Sequence, residues 1–247
     1  MDYFEIIMEI AYRTNIDTIN CLFSEINNEV VYNVRLKKTI FKKSIRKLIQ
    51  PEGGILNGST IKDVYFPSTT LDGHKYDFFI SHSHNDEEAA IILAAWLETY
   101  YDCSCFIDSL VWKSADELLK EIDDRYCYRK HTKTYDYKKR NFTTSHVHAI
   151  LSMALLDTIK NSKCCIFIES DESISLSNGL RKKTFSPWLY EEIKYMTLFQ
   201  PTDSTKYFAK TDSLNENFKV KYEADEIDRF PFLDNVNIRN LRKIIDE

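Results

Sequence analysis

Glycine and proline are scarce in this chain: 247 residues hold 5 of each. Long flexible linkers are therefore not expected. Positive charge is not in excess either. The formal net charge is −5, which argues against a general nucleic-acid binder and leaves room only for local basic patches. No apolar run approaches membrane-spanning length, so no membrane partner is expected. The six cysteines (Cys21, Cys103, Cys105, Cys127, Cys164 and Cys165) form no CxxC pair, and four of them lie in apolar runs, as buried reduced thiols do. The opening residues, MDYFEIIMEI, carry acids and lack the basic n-region of a secretory signal, so a cytoplasmic location is expected. What is abundant is apolar material, at 43%, enough for a packed core.

Residues 1–50 read as helical, with Val34, Leu36, Ile40, Phe41, Ile45, Leu48 and Ile49 at roughly helical spacing among lysines and arginines. The glycine-bearing stretch PEGGILNGS then opens a connection over 51–74. From Tyr76 the rhythm changes. Strands are predicted at 76–81, 103–108 and 163–170. Helices are predicted in NDEEAAIILAAWLETYY, capped by Asn85 or Asp86, in SADELLKEIDDRY, in SHVHAILSMALLDTIKNS, and in SPWLYEEIKYMTLF with Ser186 as N-cap and Pro187 at N1. Residues 127–143 read as a basic, tyrosine-rich loop. A late edge strand is expected at 218–224 and a short helix at 236–246. Alternating strands and helices imply an α/β fold with a mostly parallel sheet covered on both faces. Ligands of such sheets gather at the carboxyl ends of the strands, where the polar run SHSHND follows the first one.

A strand ending YDFFISHSHND, a strand ending CFIDS, a third strand CCIFIES and the turn SPWLYEE, in that order, resemble a Toll/interleukin-1 receptor (TIR) domain over roughly residues 75–200. The similarity is greatest to stand-alone bacterial TIR proteins of the NAD-cleaving, anti-phage type. It implies a flavodoxin-like TIR fold at 71–205, preceded by an N-terminal helical extension and linker (1–70) and followed by a C-terminal extension (206–247). The first 70 residues and the loop at 127–143 have no counterpart in a minimal TIR domain.

The resemblance implies an NAD nucleosidase that cleaves the nicotinamide–ribose bond, with NAD as substrate and no separate cofactor. Its product would be an ADP-ribose signal, linear, cyclic or conjugated, read by a downstream effector protein. Self-association through TIR–TIR contacts is also implied, and no nucleic-acid partner. The essential glutamate of such enzymes is placed in ADELLKEI at Glu117, with Asp116 as the alternative one residue away. A carboxylate there would stabilise the positive charge that builds on the ribose as the bond breaks. The same residues are also a capping box, S-x-x-E from Ser114, in which Glu117 would only satisfy a backbone N–H. Glu117→Gln is therefore expected to fold and to lose NAD cleavage.

Ser81, His82 and Ser83 are expected to line the ribose and nicotinamide end, against the alternative of a polar helix-capping turn. Asp108 is expected to position the loop after the second strand, and Trp112 to stack on a ring or pack against a helix. His146 and His148, placed in the first turn of the third helix, are assigned with Arg140 to the pyrophosphate, against the alternative of a solvated loop. Trp188, Glu191 and Glu192 are expected to pack and solvate the fourth helix. Zinc ligation by His82 and His84, or by His146 and His148, with Cys103 or Cys105 has the wrong spacing, so no metal is assigned. Two other readings stand beside the enzyme: a non-catalytic TIR scaffold and a nucleotide sensor without turnover.

Overall fold

A computed structural model describes residues 10–44, 56–112, 114–177, 181–199 and 220–241, apart from the side chains of 38–44, 177 and 181. In chain order the elements are β1 (Ile10–Asn15), α1 (Ile16–Phe23), α2 (Asn28–Ser44), α3 (Gly58–Tyr65), β2 (Phe78–Ser81), α4 (Glu87–Tyr101), β3 (Cys105–Phe106), α5 (Asp108–Val111) and α6 (Ala115–Tyr126). Next come β4 (Tyr128–Arg129), β5 (Thr134–Tyr135), α7 (Tyr137–Asn161), β6 (Cys164–Glu169), β7 (Ser175–Ser177), β8 (Arg181–Thr184), α8 (Pro187–Leu198) and β9 (Tyr222–Glu223).

Four strands form a parallel sheet in the order β1-β6-β2-β3. Both faces are covered, so the alternation of the central strands sorts their side chains into two cores. Phe78, Ile80, Cys164, Ile166 and Ile168 pack on one side with Ile19, Leu22 and the apolar stripe of α4. Phe79, Cys165 and Phe167 pack on the other with Phe106, Trp112, Leu118, Leu155 and Leu189, beneath α3, α6, α7 and α8. Asp77 ties the amino ends of three strands together. Its carboxylate accepts from the Ser104 amide at 2.7 Å and pairs with Lys163 at 2.7 Å, while its carbonyl accepts from the Cys164 amide at 3.0 Å. Burial opposes its ionisation, but the Lys163 pair and the Ser104 bonds together hold the carboxyl below its ordinary range.

Several expectations need correction. Residues 1–50 are not uniformly helical: IAYRTN is strand β1, whose whole length pairs with β6. Its alternation places Ala11 in one core and Tyr12 in the other, as a covered sheet requires. Of the residues proposed for the helical stripe, Val34 is buried and Leu36 is exposed; Ile40, Phe41, Ile45, Leu48 and Ile49 lie outside the described side chains or residues. The connection at 51–74 contains helix α3, which buries Ile61 and Tyr65. The loop at 127–143 is the β4–β5 hairpin followed by the first turns of α7. Asp136 caps α7 at its start, so His146 and His148 sit more than two turns inside the helix and not at its N-terminus. The late strand covers only 222–223 and joins β7 and β8, with 218–219 outside the described residues. Of 236–246, only 238–240 is described as a helical turn, of 3-10 type.

The free edge of β1 is covered by residues 230–233. Arg13 N–H donates to the Pro231 carbonyl at 3.0 Å, and Leu233 N–H donates to the Arg13 carbonyl at 2.8 Å. The Thr14 hydroxyl donates to the Leu233 carbonyl at 2.9 Å. An unprotected parallel edge invites association, and this strip removes it. A chain starting at residue 57 would lack β1 and uncover both β6 and the α1–α2 side of the core. It is expected to lose its cooperative melt in circular dichroism and to elute as aggregate in size exclusion; a sharp transition from a monomer would show β1 to be dispensable.

Candidate functional site

The connections from β2 to β3 and from β3 back to β6 run in opposite directions across the sheet. A crevice opens at such a reversal, at the carboxyl ends of the strands. Here it is a cleft of about 590 Å³. Its wall takes His82, Ser83, His84 and Asn85 from the end of β2, Asp108, Ser109 and Trp112 from the end of β3, and Glu172 from the loop after β6. The start of α6 adds Ser114, Ala115, Asp116 and Leu119; α7 adds Val147, His148, Leu151 and Leu155; α8 adds Trp188, Leu189 and Glu192.

Ser81 is the last residue of β2 and, by alternation, points to the side of α8. There its hydroxyl donates to a carboxylate oxygen of Glu192. Glu192 lines the cleft yet is only 5% exposed. Burial pushes its carboxyl pKa well up, and Asp108 pushes it the same way, against the opposing hydrogen bond from Ser81. Asp108 is anchored by accepting from the Ser109 amide at 2.7 Å. His82 Nε2 stands 3.7 Å from Asp108 Oδ1, while Nδ1 stands 3.3 Å from the Ile80 carbonyl. That carbonyl can only accept, so a hydrogen bond between them requires Nδ1 to be the donor, with Nε2 toward Asp108. Ser109 Oγ is buried without a hydrogen-bond partner among the described residues.

The mouth is braced across two strands. Ser83 and Ser170 hydroxyls both donate to Asp86 Oδ2, at 2.6 and 2.5 Å, and Asn85 donates to Glu172 at 2.9 Å. The apolar side is aromatic. Trp112 packs edge-on against Phe66 and Phe106 and donates its indole N–H to the Pro67 carbonyl at 3.0 Å, so its ring is fixed. The rings of His148 and Trp188 are 5.2 Å apart.

The structure thus brings His82, Ser83, Asp108, Trp112, Asp116 and His148 into one cleft wall, with Ser81 directly behind Glu192. It does not bring Glu117 there. Glu117 is exposed and absent from the wall, on the side of α6 from which it raises the pKa of Tyr65. The Ser114 hydroxyl caps α6 by accepting from the Asp116 amide at 3.2 Å. Arg140 is bound to buried Asp123 at 2.8 Å, and His146 packs on Phe142 at 4.3 Å; neither reaches the cleft, and with His146 and His148 deep inside α7 the pyrophosphate assignment loses its helix terminus. Glu192, read as a helix-solvating residue, is instead the most buried carboxylate of the wall. The available signal was its spacing: with Ser186 as cap and Leu189 and Ile193 as buried positions, Glu192 falls on the same inward stripe of α8.

Among the described residues, no three of His, Cys, Asp and Glu converge as metal ligands. Cys103 and Cys105 belong to the core on the other side of the sheet from Glu192 and His148. Burial raises the Cys105, Cys164 and Cys165 thiols above their ordinary range, which removes the thiolate that nucleophilic chemistry needs. No family model matches the chain, and no curated protein or solved structure matches it.

A carboxyl with a raised folded-state pKa binds its proton more tightly in the folded chain. Its contribution to stability is therefore present at and below about pH 4.5, the ordinary value, and is lost as pH rises toward the folded-state pKa. Glu192→Gln should melt progressively higher than the wild type between pH 4.5 and 8. Calorimetric melts of both proteins across that range check it; an equal difference at every pH would mean that the folded carboxyl ionises normally.

Proposed function

We propose that the chain is a TIR-type NAD nucleosidase whose catalytic carboxylate is Glu192. One observation carries this reading: a single carboxylate is held out of water at the floor of the cleft, with a hydroxyl on one side and a second acid beside it. Perturbed acids of this kind concentrate at functional sites.

The electrostatics suit the ligand. Among the described wall residues, Glu87, Asp108, Asp116, Glu172 and Glu192 are acidic, and no lysine or arginine is present. A pyridinium ring carries positive charge, and the aromatic and aliphatic wall formed by Trp112, Leu119, Leu151 and Trp188 gives it a flat apolar surface. Binding a cation beside Glu192 favours its ionised form, so the proton held in the empty cleft is released.

In the reaction the bond between ribose C1′ and the pyridine nitrogen breaks, and its electron pair stays with nicotinamide, which leaves neutral. Positive charge moves onto the ribose, where Glu192 stabilises it in a poorly solvated site. Water then bonds to C1′ and gives up a proton, yielding ADP-ribose; attack by a group of the same or another nucleotide gives a cyclic or conjugated product. His82, on the cleft wall, is the group we assign to the ribose hydroxyls. The sequence resemblance supports the further reading of a defence signal passed to an effector, and self-association through TIR–TIR contacts.

The scaffold reading is favoured by a specific observation: among its described residues, the cleft wall offers the diphosphate no lysine or arginine. Chromatographic measurement of nicotinamide released from NAD separates the two. Glu192→Gln is expected to reduce release by about a hundredfold or more, while Glu117→Gln stays within about threefold of the wild type. The opposite pattern returns catalysis to Glu117. A folded wild type that releases nothing at any protein concentration supports the scaffold.

A further inference from the structure

The stretch from Tyr128 to Phe142 contributes no residue to the cleft wall or to either hydrophobic core. It is nevertheless firmly built. Tyr128 pairs with Tyr135 and Arg129 with Thr134 across a turn in which Lys133 takes a left-handed φ of 53°. The two tyrosine rings meet edge to face at 5.3 Å. Arg129 pairs with Asp136, the Tyr135 hydroxyl donates to Asp124, and Arg140 lies over the Tyr135 ring at 5.4 Å. These contacts hold aromatic side chains on the outside of the protein. Tyr137 is 77% and Phe142 67% exposed, and Tyr128 and Tyr135 are exposed as well.

The charge of this arm opposes that of the whole chain. It bears Arg129, Lys130, Lys133, Lys138, Lys139 and Arg140 against one acid, Asp136, while the chain carries −5. Lys130, Lys133 and Lys138 are exposed and have no ion-pair partner among the described residues. Every exposed large apolar side chain in the arm is aromatic and none is aliphatic. A membrane surface rewards aliphatic insertion as well as cations, whereas this combination of free ammonium groups and flat rings matches phosphates and unstacked bases. Strands of two residues are too short to enter a duplex groove as a reading element, which leaves a single strand.

We infer that the arm formed by β4, β5 and the start of α7 is a binding site for single-stranded nucleic acid, with the lysines on phosphates and the rings of Tyr137 and Phe142 under bases. It is independent of the reaction in the cleft.

Fluorescence anisotropy of a labelled oligouridylate of about 20 nucleotides, titrated with the full chain in low salt, tests it. Binding is expected to weaken with salt at a log–log slope of about −2 to −3, as three or four phosphate contacts give for single strands. Lys130→Glu/Lys133→Glu/Lys138→Glu together should weaken binding by about tenfold or more. Tyr137→Ala/Phe142→Ala should weaken it by about fivefold or more while leaving the salt slope unchanged. All five positions are exposed, and circular dichroism of both variants checks that they fold. Absence of binding at low salt overturns the inference, as does binding that survives the lysine changes. Aromatic variants that bind like the wild type, or phosphatidylserine vesicles that outcompete the oligonucleotide, would show a general polyanion or lipid surface and equally overturn it.

Discussion

Double burial of the two central strands is the constraint from which the other features follow. Phe78 to Ser81 and Cys164 to Ile168 are covered on both faces, so each residue is assigned to a core by alternation alone. Ser81 is the first hydroxyl at the end of that apolar run, and its parity aims it beneath α8. A hydroxyl in that position requires a partner. Glu192 supplies one, and the packing that hides Ser81 also strips water from the carboxylate. The acid is therefore perturbed by the same contacts that make the core. That disadvantage at neutral pH is what makes Glu192 the candidate acid of the proposed reaction.

On the proposed reading, the cleft's charge gives that disadvantage a use. Burial first, and then the neighbouring Asp108 carboxylate, raise the proton affinity of Glu192. In the proposed reaction a cationic ring entering beside them reverses the sign of the local field and favours the ionised form of Glu192. As the bond of the proposed reaction breaks, the positive charge then moves from the ring to the ribose. Only an anion nearer the ribose than the ring gains from that movement, and this difference, rather than tight binding of the substrate, is what lowers a barrier. In that proposed reaction Glu87 and Glu172, which also line the cleft, are assigned to affinity rather than to rate.

Much of the sheet was legible in the sequence because strands buried on both faces read as continuous apolar runs. FFI and CCIFI could be recognised without any partner, and Ser186 with Pro187 marked the start of α8 correctly. Less visible were elements whose signals are nonlocal. IAYRTN has too few apolar residues to announce a strand, and only pairing with β6 makes it one. The hairpin at 128–135 has no Asn-Gly turn, so its polar residues read as a loop. The candidate site was half legible: the SHSHND turn, Asp108 and Trp112 do line the cleft, while Glu117 on α6 does not and the buried carboxylate of the wall, Glu192, lies on α8. A pattern such as S-x-x-E fixes a helix start but not the helix's rotation about its axis. On α6, Ala115, Asp116 and Leu119 face the cleft, and Glu117, one residue further round, does not.

The terminal segments have a stake in the same cleft. Without β1, strand β6 would end the sheet, and its carboxyl end would be free to fray. In the complete sheet, Glu169 at that end is clamped by Arg13 at 2.7 Å and by Lys182, and Lys182 also reaches Asp228 at 2.8 Å. The next residue, Ser170, is one of the two hydroxyls that hold Asp86 and so join the loop after β6 to the loop after β2. A chain of contacts therefore runs from the first described strand and the C-terminal strip to the residues framing the mouth. The N-terminal residues that look like an addition to the fold set the position of one wall of its site.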